Sequence, residues 1–226
     1  MTTMAKRRGT RGLGASTASA LVLGFVLAIP WHARADRYEA TISVRPEGVL
    51  ARVNEAGASA PAVVGGGGLA AGLSWGVRNW LDLGGELAAV SLLEARYDGA
   101  SARVFDIEHM GELSRTTRLA QLRGVATLRL GVGWVPTIQV ALGVGGRQRT
   151  AARFAYDTAV VMPDDGEAEL ALDAVAGLRL GLAHRLTRRW SLGLSAGATA
   201  CFGIGAPDLQ FFDASLSLGY TWYPLW

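Results

Sequence analysis

Residues 169–183, ELALDAVAGLRLGLA, alternate between two kinds of side chain at every second position. One parity carries only apolar side chains, namely Leu170, Leu172, Ala174, Ala176, Leu178, Leu180 and Leu182. The other parity mixes charged and small residues, including Glu169, Asp173, Gly177, Arg179 and Gly181. A period of two predicts a β-strand with one apolar face and one polar face.

The same alternation recurs along the chain and predicts eight strands. The segments are 38–45, 69–77, 80–92, 120–132, 137–147, 169–183, 190–202 and 212–222. The connections alternate in length: 46–68, 93–119 and 148–168 are long, whereas 78–79, 134–136 and 184–189 are short, and 203–209 is intermediate. Successive antiparallel strands would place the long connections at one rim and the short ones at the other, as in outer-membrane barrels. We therefore predict an all-β fold, a closed antiparallel up-and-down transmembrane barrel of about eight strands.

The two faces of these strands favour a membrane barrel over a soluble one. Neither face is rich in charged residues, as a water-facing surface would be. The small and charged parity suits the narrow interior of an eight-stranded barrel, and the apolar parity suits lipid. Parity predicts an inward set of both signs: Glu39, Arg45, Asp82, Glu86, Arg123, Arg129, Arg147, Asp173, Arg179 and Asp213. Buried charges are costly unless paired, so we predict an ionic network that plugs the lumen.

The N-terminal 35 residues have the pattern of an export signal. Four basic residues precede an apolar run over 18–29, and Ala33-Arg34-Ala35 fits a signal-peptidase site. We predict a signal peptide at 1–35 and a mature barrel domain at 36–226. Cleavage would remove five of the 22 basic residues and none of the 19 acidic ones, so the net charge would change from +3 to −2. This slightly acidic domain gives no indication of nucleic-acid binding.

Aromatic residues gather at the predicted turn rim. Six of them are Trp75, Trp80, Trp134, Trp190, Trp222 and Trp226, and Tyr220 joins them. Tryptophan and tyrosine concentrate where a membrane meets water, so this set predicts a periplasmic aromatic belt. Leu218, Tyr220, Trp222 and Trp226 share one parity and end the chain on an aromatic residue, although Pro224 departs from the usual pattern.

The whole predicted mature chain resembles small bacterial outer-membrane barrels of the OmpA/OmpX-like class, by architecture and by its aromatic terminus. That resemblance implies a monomer in the bacterial outer membrane, in contact with outer-membrane lipid. It also implies insertion by the barrel-assembly machinery. It names no ligand.

The sequence contains no convincing catalytic or cofactor motif. Of the three histidines, His32 lies in the signal, His109 in a long connection and His184 in a turn, none beside a predicted nucleophile. The acidic residues around His109 and within 164–169 match no metal-binding motif. Cys201 is single, so it forms no internal disulfide. We predict a protein that is not an enzyme and has no cofactor, metal or catalytic site.

Two functions remain open from the sequence. One is a plugged barrel with a structural or surface-interaction role. The alternative is a narrow, porin-like channel for small solutes, in which the inward charges would form a gate. A lipid-modifying barrel enzyme is a third interpretation, which the positions of the histidines disfavour.

Overall fold

The computed structural model describes residues 39–55, 58–131, 133–164, 166–203 and 208–223. The predicted signal peptide lies outside the described residues. The described residues form twelve β-strands: β1 Ala40–Val53, β2 Ala62–Arg78, β3 Leu81–Leu92, β4 Ala95–Val104, β5 Ile107–Arg115, β6 Thr117–Arg129, β7 Trp134–Arg149, β8 Arg153–Tyr156, β9 Ala159–Val161, β10 Glu169–Arg185, β11 Trp190–Gly203 and β12 Leu209–Trp222. No helix in this part of the chain has the length and apolar character needed to cross a membrane.

Eight of these strands form a closed antiparallel barrel. Their order around the barrel is β1, β2, β3, β6, β7, β10, β11 and β12, and β12 pairs with β1 to close it. The closing register runs from Ala40 opposite Trp222 to Val53 opposite Leu209. The predicted fold class and strand count are confirmed, because each of the eight predicted segments overlaps one barrel strand.

The barrel has a turn rim and a loop rim. The turn rim carries the short connections 79–80, 130–133 and 186–189, together with Ala40 and Trp222. The loop rim carries the connections 54–61, 93–116, 150–168 and 204–208. The predicted alternation of short and long connections therefore holds for the second, third, fourth, fifth and sixth connections. The first connection, 54–61, is also longer than each turn-rim connection, although it is shorter than predicted.

The first predicted connection, 46–68, is wrong. Strand β1 continues through Pro46 to Val53, and β2 begins at Ala62, so only 54–61 connect them. Pro46 still lies opposite Leu69 of β2, but the pairing of β1 with β12 omits Arg45 and Pro46. Proline lacks an N–H and so interrupts one ladder without ending the strand.

Two predicted turns are also displaced. Trp134, Val135 and Pro136 lie within β7, and the preceding turn falls at 130–133, where Gly131 and Gly133 have positive φ. His184 lies near the end of β10 rather than in a turn. The alternating pattern at these ends was obscured by aromatic and proline residues that belong to the strand.

The two longest connections fold into a second sheet, which we call the lid. It contains four antiparallel strands in the order β4, β5, β8 and β9. One face of the lid is buried and shares a continuous apolar core with the loop-side half of the barrel interior. That core includes Val49, Ala51, Val53, Val90, Leu92, Leu209 and Phe211 from the barrel, and Tyr97, Val104, Leu113 and Phe154 from the lid. The lid therefore covers the barrel at its loop rim.

Candidate functional site in the barrel lumen

The structure places the ten predicted lumen charges inside the barrel at different depths. Nine are buried: Glu39, Arg45, Asp82, Glu86, Arg123, Arg147, Asp173, Arg179 and Asp213. The side chain of Arg129 is 25% exposed, because it lies nearer the turn rim. The opposite faces of the same strands expose apolar side chains such as Leu87, Leu122 and Leu180.

A central charge cluster crosses the middle of the lumen. It consists of Arg45, Glu47, Glu86, Arg123, Arg179 and Asp213, contributed by β1, β3, β6, β10 and β12. Arg45 donates to Glu47 at 2.9 Å and to Glu86 at 2.5 Å. Arg123 and Arg179 complete the cluster, which joins five of the eight barrel strands.

Each of the other two arginines contacts more than one carboxylate. Arg179 donates through Nε to Asp213 at 2.7 Å and through Nη2 to Glu47 at 2.9 Å. Arg123 forms an ion pair with Glu86, and its Nη2 lies 4.0 Å from Glu47. The Arg123 side chain is 1% exposed. The cluster therefore links side chains from different sides of the lumen, and all six of its members are buried.

Glycines make room for these long side chains. Gly143 of β7 lies opposite Arg123, and Gly197 of β11 lies opposite Arg179. A Cβ atom on Gly143 would lie 2.8 Å from the Arg123 Cα atom, and one on Gly197 would overlap the Arg179 side chain. A narrow barrel holds only enough volume for its own side chains, so a large inward residue requires a small neighbour. Gly143 and Gly197 are thus the cross-strand partners of two inward arginines.

The turn-side half of the lumen contains a polar cavity of about 350 Å³. Arg45, Glu86 and Arg179 of the central charge cluster form its inner wall, and it extends to Gly131 and Gly133 at the turn rim. Hydroxyl groups line much of the rest, from Thr41, Ser43, Ser74, Thr127, Thr137, Ser191, Ser195, Ser217 and Thr221. The cavity is therefore suited to water and ends blindly at the central charge cluster.

A second ionic group lies near the turn-side mouth. Arg129 donates to Asp82 at 2.5 Å. Glu39 accepts from Arg185 at 2.6 Å and from the Tyr223 hydroxyl at 2.6 Å. Arg129 therefore pairs with Asp82, and Glu86, which shares its predicted face, belongs to the central charge cluster instead.

On the loop side, the interior is apolar with charged groups at its boundary. Arg147 donates to Asp173 at 2.6 Å, and both residues are buried. At the loop rim, Arg115 and Arg149 form ion pairs with Glu55, and Arg149 also pairs with Glu169 at 3.0 Å. Between these groups the apolar core shared with the lid fills the interior.

Each ionic group balances its own charge. The central charge cluster has three arginines and three carboxylates, and Arg147 pairs with Asp173. The turn-side group has Arg129 and Arg185 with Glu39 and Asp82, and the loop-rim group has two arginines with two glutamates. Neutral groups need no counterion in the lumen. The arrangement can hold the strands together, but it lacks the excess of one sign that lines ion-selective pores.

Six charged residues of these groups were not among the predicted set: Glu47, Glu55, Arg115, Arg149, Glu169 and Arg185. Glu47 falls in the predicted connection 46–68, whereas β1 continues through it to Val53. The signal was present, since Glu47, Val49, Ala51 and Val53 continue the inward parity of Arg45. The other five lie at strand ends or in the connection 54–61, where alternation alone does not fix the facing of a side chain.

The cysteine and the two described histidines pack against neighbouring side chains. Cys201 is fully buried, and Gln121 Nε2 donates to its Sγ atom at 3.3 Å. His109 stacks on Tyr156 in the lid, with ring centroids 4.4 Å apart. His184 stacks on Trp134 at 4.5 Å. Among the described residues, no three histidine, cysteine or acidic side chains are grouped as metal ligands would be.

The predicted belt residues that the structure describes lie at the turn rim. Trp75 and Trp222 both lie opposite Ala40, and Trp190 lies opposite Tyr220. The Trp190 and Tyr220 rings meet edge to face at 5.0 Å. Trp80 adjoins the first turn, Trp134 begins β7, and Trp226 lies outside the described residues.

Among known proteins, this chain is similar only to solved structures. No protein-family model and no curated protein matches the chain. The attachment invasion locus protein Ail of Yersinia pestis is similar at 12% identity and a TM-score of 0.49, over 83% of this chain and 100% of Ail. Neisserial surface protein A matches at 9% identity and 0.46, over 79% and 96%. OprG of Pseudomonas aeruginosa matches at 8% identity and 0.41, over 84% and 99%.

Proposed function

We propose that this chain is an integral outer-membrane barrel whose lumen is permanently occluded and whose lid faces the outside of the cell. One observation carries the proposal: the barrel turns apolar side chains outward and its buried charges inward. Outward residues that are 53–67% exposed form a band around the barrel and include Leu73, Leu87, Leu122, Leu142, Leu172, Leu194 and Phe212. Such a surface is unfavourable in water and favourable in lipid.

The aromatic residues of the turn rim support this placement. Trp134 and Trp190 are 57% and 44% exposed at the turn-side edge of the apolar band. Amphipathic rings at that position match the interface between lipid and water. Short turns in outer-membrane barrels face the periplasm, so the lid would lie at the cell surface.

The occluded lumen favours a structural or surface role over a channel. A solute entering the turn-side cavity would meet the central charge cluster and then the apolar core beneath the lid. Passage would require several buried ion pairs to break at once, and leaving one such charge unpaired costs about 3–5 kcal/mol. This cost makes the narrow channel the second candidate function. The observation that favours a channel is the polar cavity of about 350 Å³.

The lid supports the surface-interaction part of the proposal. Phe105 and Asp106 form the turn of its first hairpin, between β4 and β5, and have positive φ values of 52° and 63°. The Asp164 carboxylate accepts hydrogen bonds from both of their backbone N–H groups, at 3.3 and 3.0 Å. This brace holds a strained turn and presents Phe105, which is 82% exposed. Met110 and Val160 of the lid are also well exposed.

Location and orientation are tested on cells. We expect the protein to sediment with outer membranes and to migrate faster on gels when unheated than when boiled. Protease added to intact cells should cut the lid at Arg103 or Arg153 before the turn at Arg188 or Arg189. Recovery in the soluble periplasm would overturn the membrane placement, and cleavage confined to the turn would invert the orientation.

Occlusion is tested by planar-bilayer recording of the refolded protein. We expect no steady conductance from the parent protein, because the central charge cluster and the apolar core both block the lumen. Discrete conductance steps in the parent protein would favour the channel.

A further inference from the structure

The outward face of the barrel strands is almost free of charge. Among the described strand residues it carries Arg78, beside the first turn, and Arg52 and Arg118 near the loop rim. Arg52 and Arg118 are exposed and take part in none of the ion pairs among the described residues. The inward arginines, in contrast, are all paired. A charged side chain at the rim of the lipid-facing surface can be satisfied by water or by an anionic group of the membrane.

Arg118 lies at the centre of a polar row across three adjacent strands. Ser91 of β3 lies opposite Arg118, and Arg118 lies opposite Gln148 of β7. All three are exposed. Neighbouring strands are about 4.8 Å apart, so the row spans about 10 Å. The hydroxyl groups of Thr116 and Thr150, 3.0 Å apart, lie immediately beyond it toward the loop rim.

A recess of small residues lies directly below this polar row. Ala89, Ala120 and Gly146 are again cross-strand partners on the same three strands. A Cβ atom added to Gly146 would meet nothing within 4 Å. The next outward row consists of Leu87, Leu122 and Val144, which are 63%, 57% and 62% exposed. The surface therefore has three tiers, polar, small and bulky apolar.

We propose that this surface binds a glycolipid whose head group carries phosphate, in the membrane leaflet on the loop side. The inference rests on the proposed membrane placement. Arginine presents a planar set of donors that matches phosphate, and the hydroxyl and amide groups of Ser91 and Gln148 suit sugar hydroxyls. The recess accommodates the junction between head group and acyl chains. The acyl chains lie along Leu87, Leu122 and Val144.

Arg52 provides a matched comparison. It is outward, exposed and near the same rim, and it lies opposite one amide, Gln210, on β12. Its other neighbour is the apolar Val63 of β2. Arg52 therefore has the same charge as Arg118 but a polar neighbour on only one side. A diffuse attraction between arginine and an anionic membrane would involve Arg52 and Arg118 equally, whereas a built site would involve Arg118.

The test uses the parent protein and three variants in nanodiscs of neutral phosphatidylcholine. The probes are diphosphoryl lipid A and its monophosphoryl form, and native mass spectrometry measures the bound fraction. We expect R118Q to bind diphosphoryl lipid A about five- to tenfold more weakly than the parent. G146L should weaken binding without changing the charge, because it fills the recess. R52Q should change binding less than twofold. The parent should also bind the diphosphoryl form more tightly than the monophosphoryl form.

Each possible failure has a distinct meaning. Migration of unheated samples on gels reports whether every variant has kept its barrel. Equal binding by R118Q and R52Q, with the parent inserted in lipid, would overturn the glycolipid site alone. Failure of the parent protein to insert in lipid at all would overturn the proposed membrane placement, and the site with it.

Discussion

The two halves of the lumen share the same alternation of inward and outward residues, but one interior is polar and the other is apolar. In the turn-side half, the inward positions are hydroxyl residues and glycines around a polar cavity. In the loop-side half, most inward positions of the same strands are apolar, such as Val90, Leu209 and Phe211, and form a core shared with the lid. The turn-side half is open at its rim, whereas the loop-side half is covered by the lid. Alternation therefore determines which side chains face inward. Whether an end of the barrel is open or covered determines whether those side chains are polar or apolar.

The central charge cluster separates these two environments. On its loop side the surrounding side chains are mostly apolar, and on its turn side the cavity provides space for water. A buried cluster of this kind stabilises the fold only while every member keeps its partners. The largest effects should therefore come from the cluster, and smaller ones from either half.

Removing Glu86 should have the largest effect. Glu86 accepts from Arg45 at 2.5 Å and pairs with Arg123, so E86A leaves three arginines with two carboxylates. We expect a loss of about 3–5 kcal/mol in the free energy of unfolding, measured from urea midpoints in lipid vesicles. E86Q should lose less, because it keeps the volume and the acceptor oxygen. The control R103A removes an exposed lid charge and should change stability by less than about 0.5 kcal/mol. Equal midpoints for E86A and R103A would show that the cluster does not hold the barrel.

Detaching the lid should have the next largest effect. Phe154 is fully buried between Leu113 and Val161 of the neighbouring lid strands. We expect F154A to cost about 3 kcal/mol through lost contacts and the cavity it leaves. Protease should also cleave at Arg153 more rapidly in this variant. V160A changes an exposed side chain of the same lid, 68% exposed, and should leave both measurements unchanged. Parent-like cleavage of F154A would mean that the lid does not depend on the shared core.

The barrel strands could be predicted from the sequence because their facing depends only on parity. A period of two persists from Glu169 to Ala183 whatever the depth or register of the strand. The ion partners depend on register and depth, which parity does not contain. This is why Arg129 could be assigned to the lumen, but its contact with Asp82 could not be predicted.

The lid and the continuation of β1 were missed for different physical reasons. Strands β8 and β9 are short, and the irregularity at Gly99 interrupts the alternation of β4. Pro46 begins the predicted connection 46–68, yet β1 continues through it. Its missing N–H affects the pairing with β12 and leaves the pairing with β2 intact.

A reciprocal pair of substitutions compares the two halves directly. Val90 is buried in the loop-side core, and Thr137 lines the turn-side cavity. V90T and T137V exchange a methyl and a hydroxyl group with little change of volume. We expect V90T to cost about 2 kcal/mol, because its hydroxyl is buried in an apolar core, and T137V to change stability by less than about 1 kcal/mol. The measurement is again the urea midpoint. Equal costs would show that the two halves do not differ in their access to water.

The smallest expected effect is the pH dependence contributed by the lid. Burial raises the pKa of Tyr97 to about 12, with Arg115 acting in the opposite direction. Its hydroxyl donates to the Val53 backbone oxygen at 3.4 Å, which links the lid to the end of β1. The unfolded chain ionises this phenol near pH 10, so its contribution to stability is complete below pH 10 and is lost as the pH rises to 12.

Comparing the parent with Y97F at pH 9 and pH 11 isolates this contribution. Y97F has no ionisable phenol at this position, so the other titrating groups cancel in the difference between the two proteins. We expect the parent to lose about 1 kcal/mol more than Y97F between the two pH values. The urea midpoints of both proteins give the measurement. A parallel decline of parent and variant would place the Tyr97 hydroxyl in contact with water. The dry core would then end below the lid, and the contrast between the two halves of the lumen would be confined to the barrel.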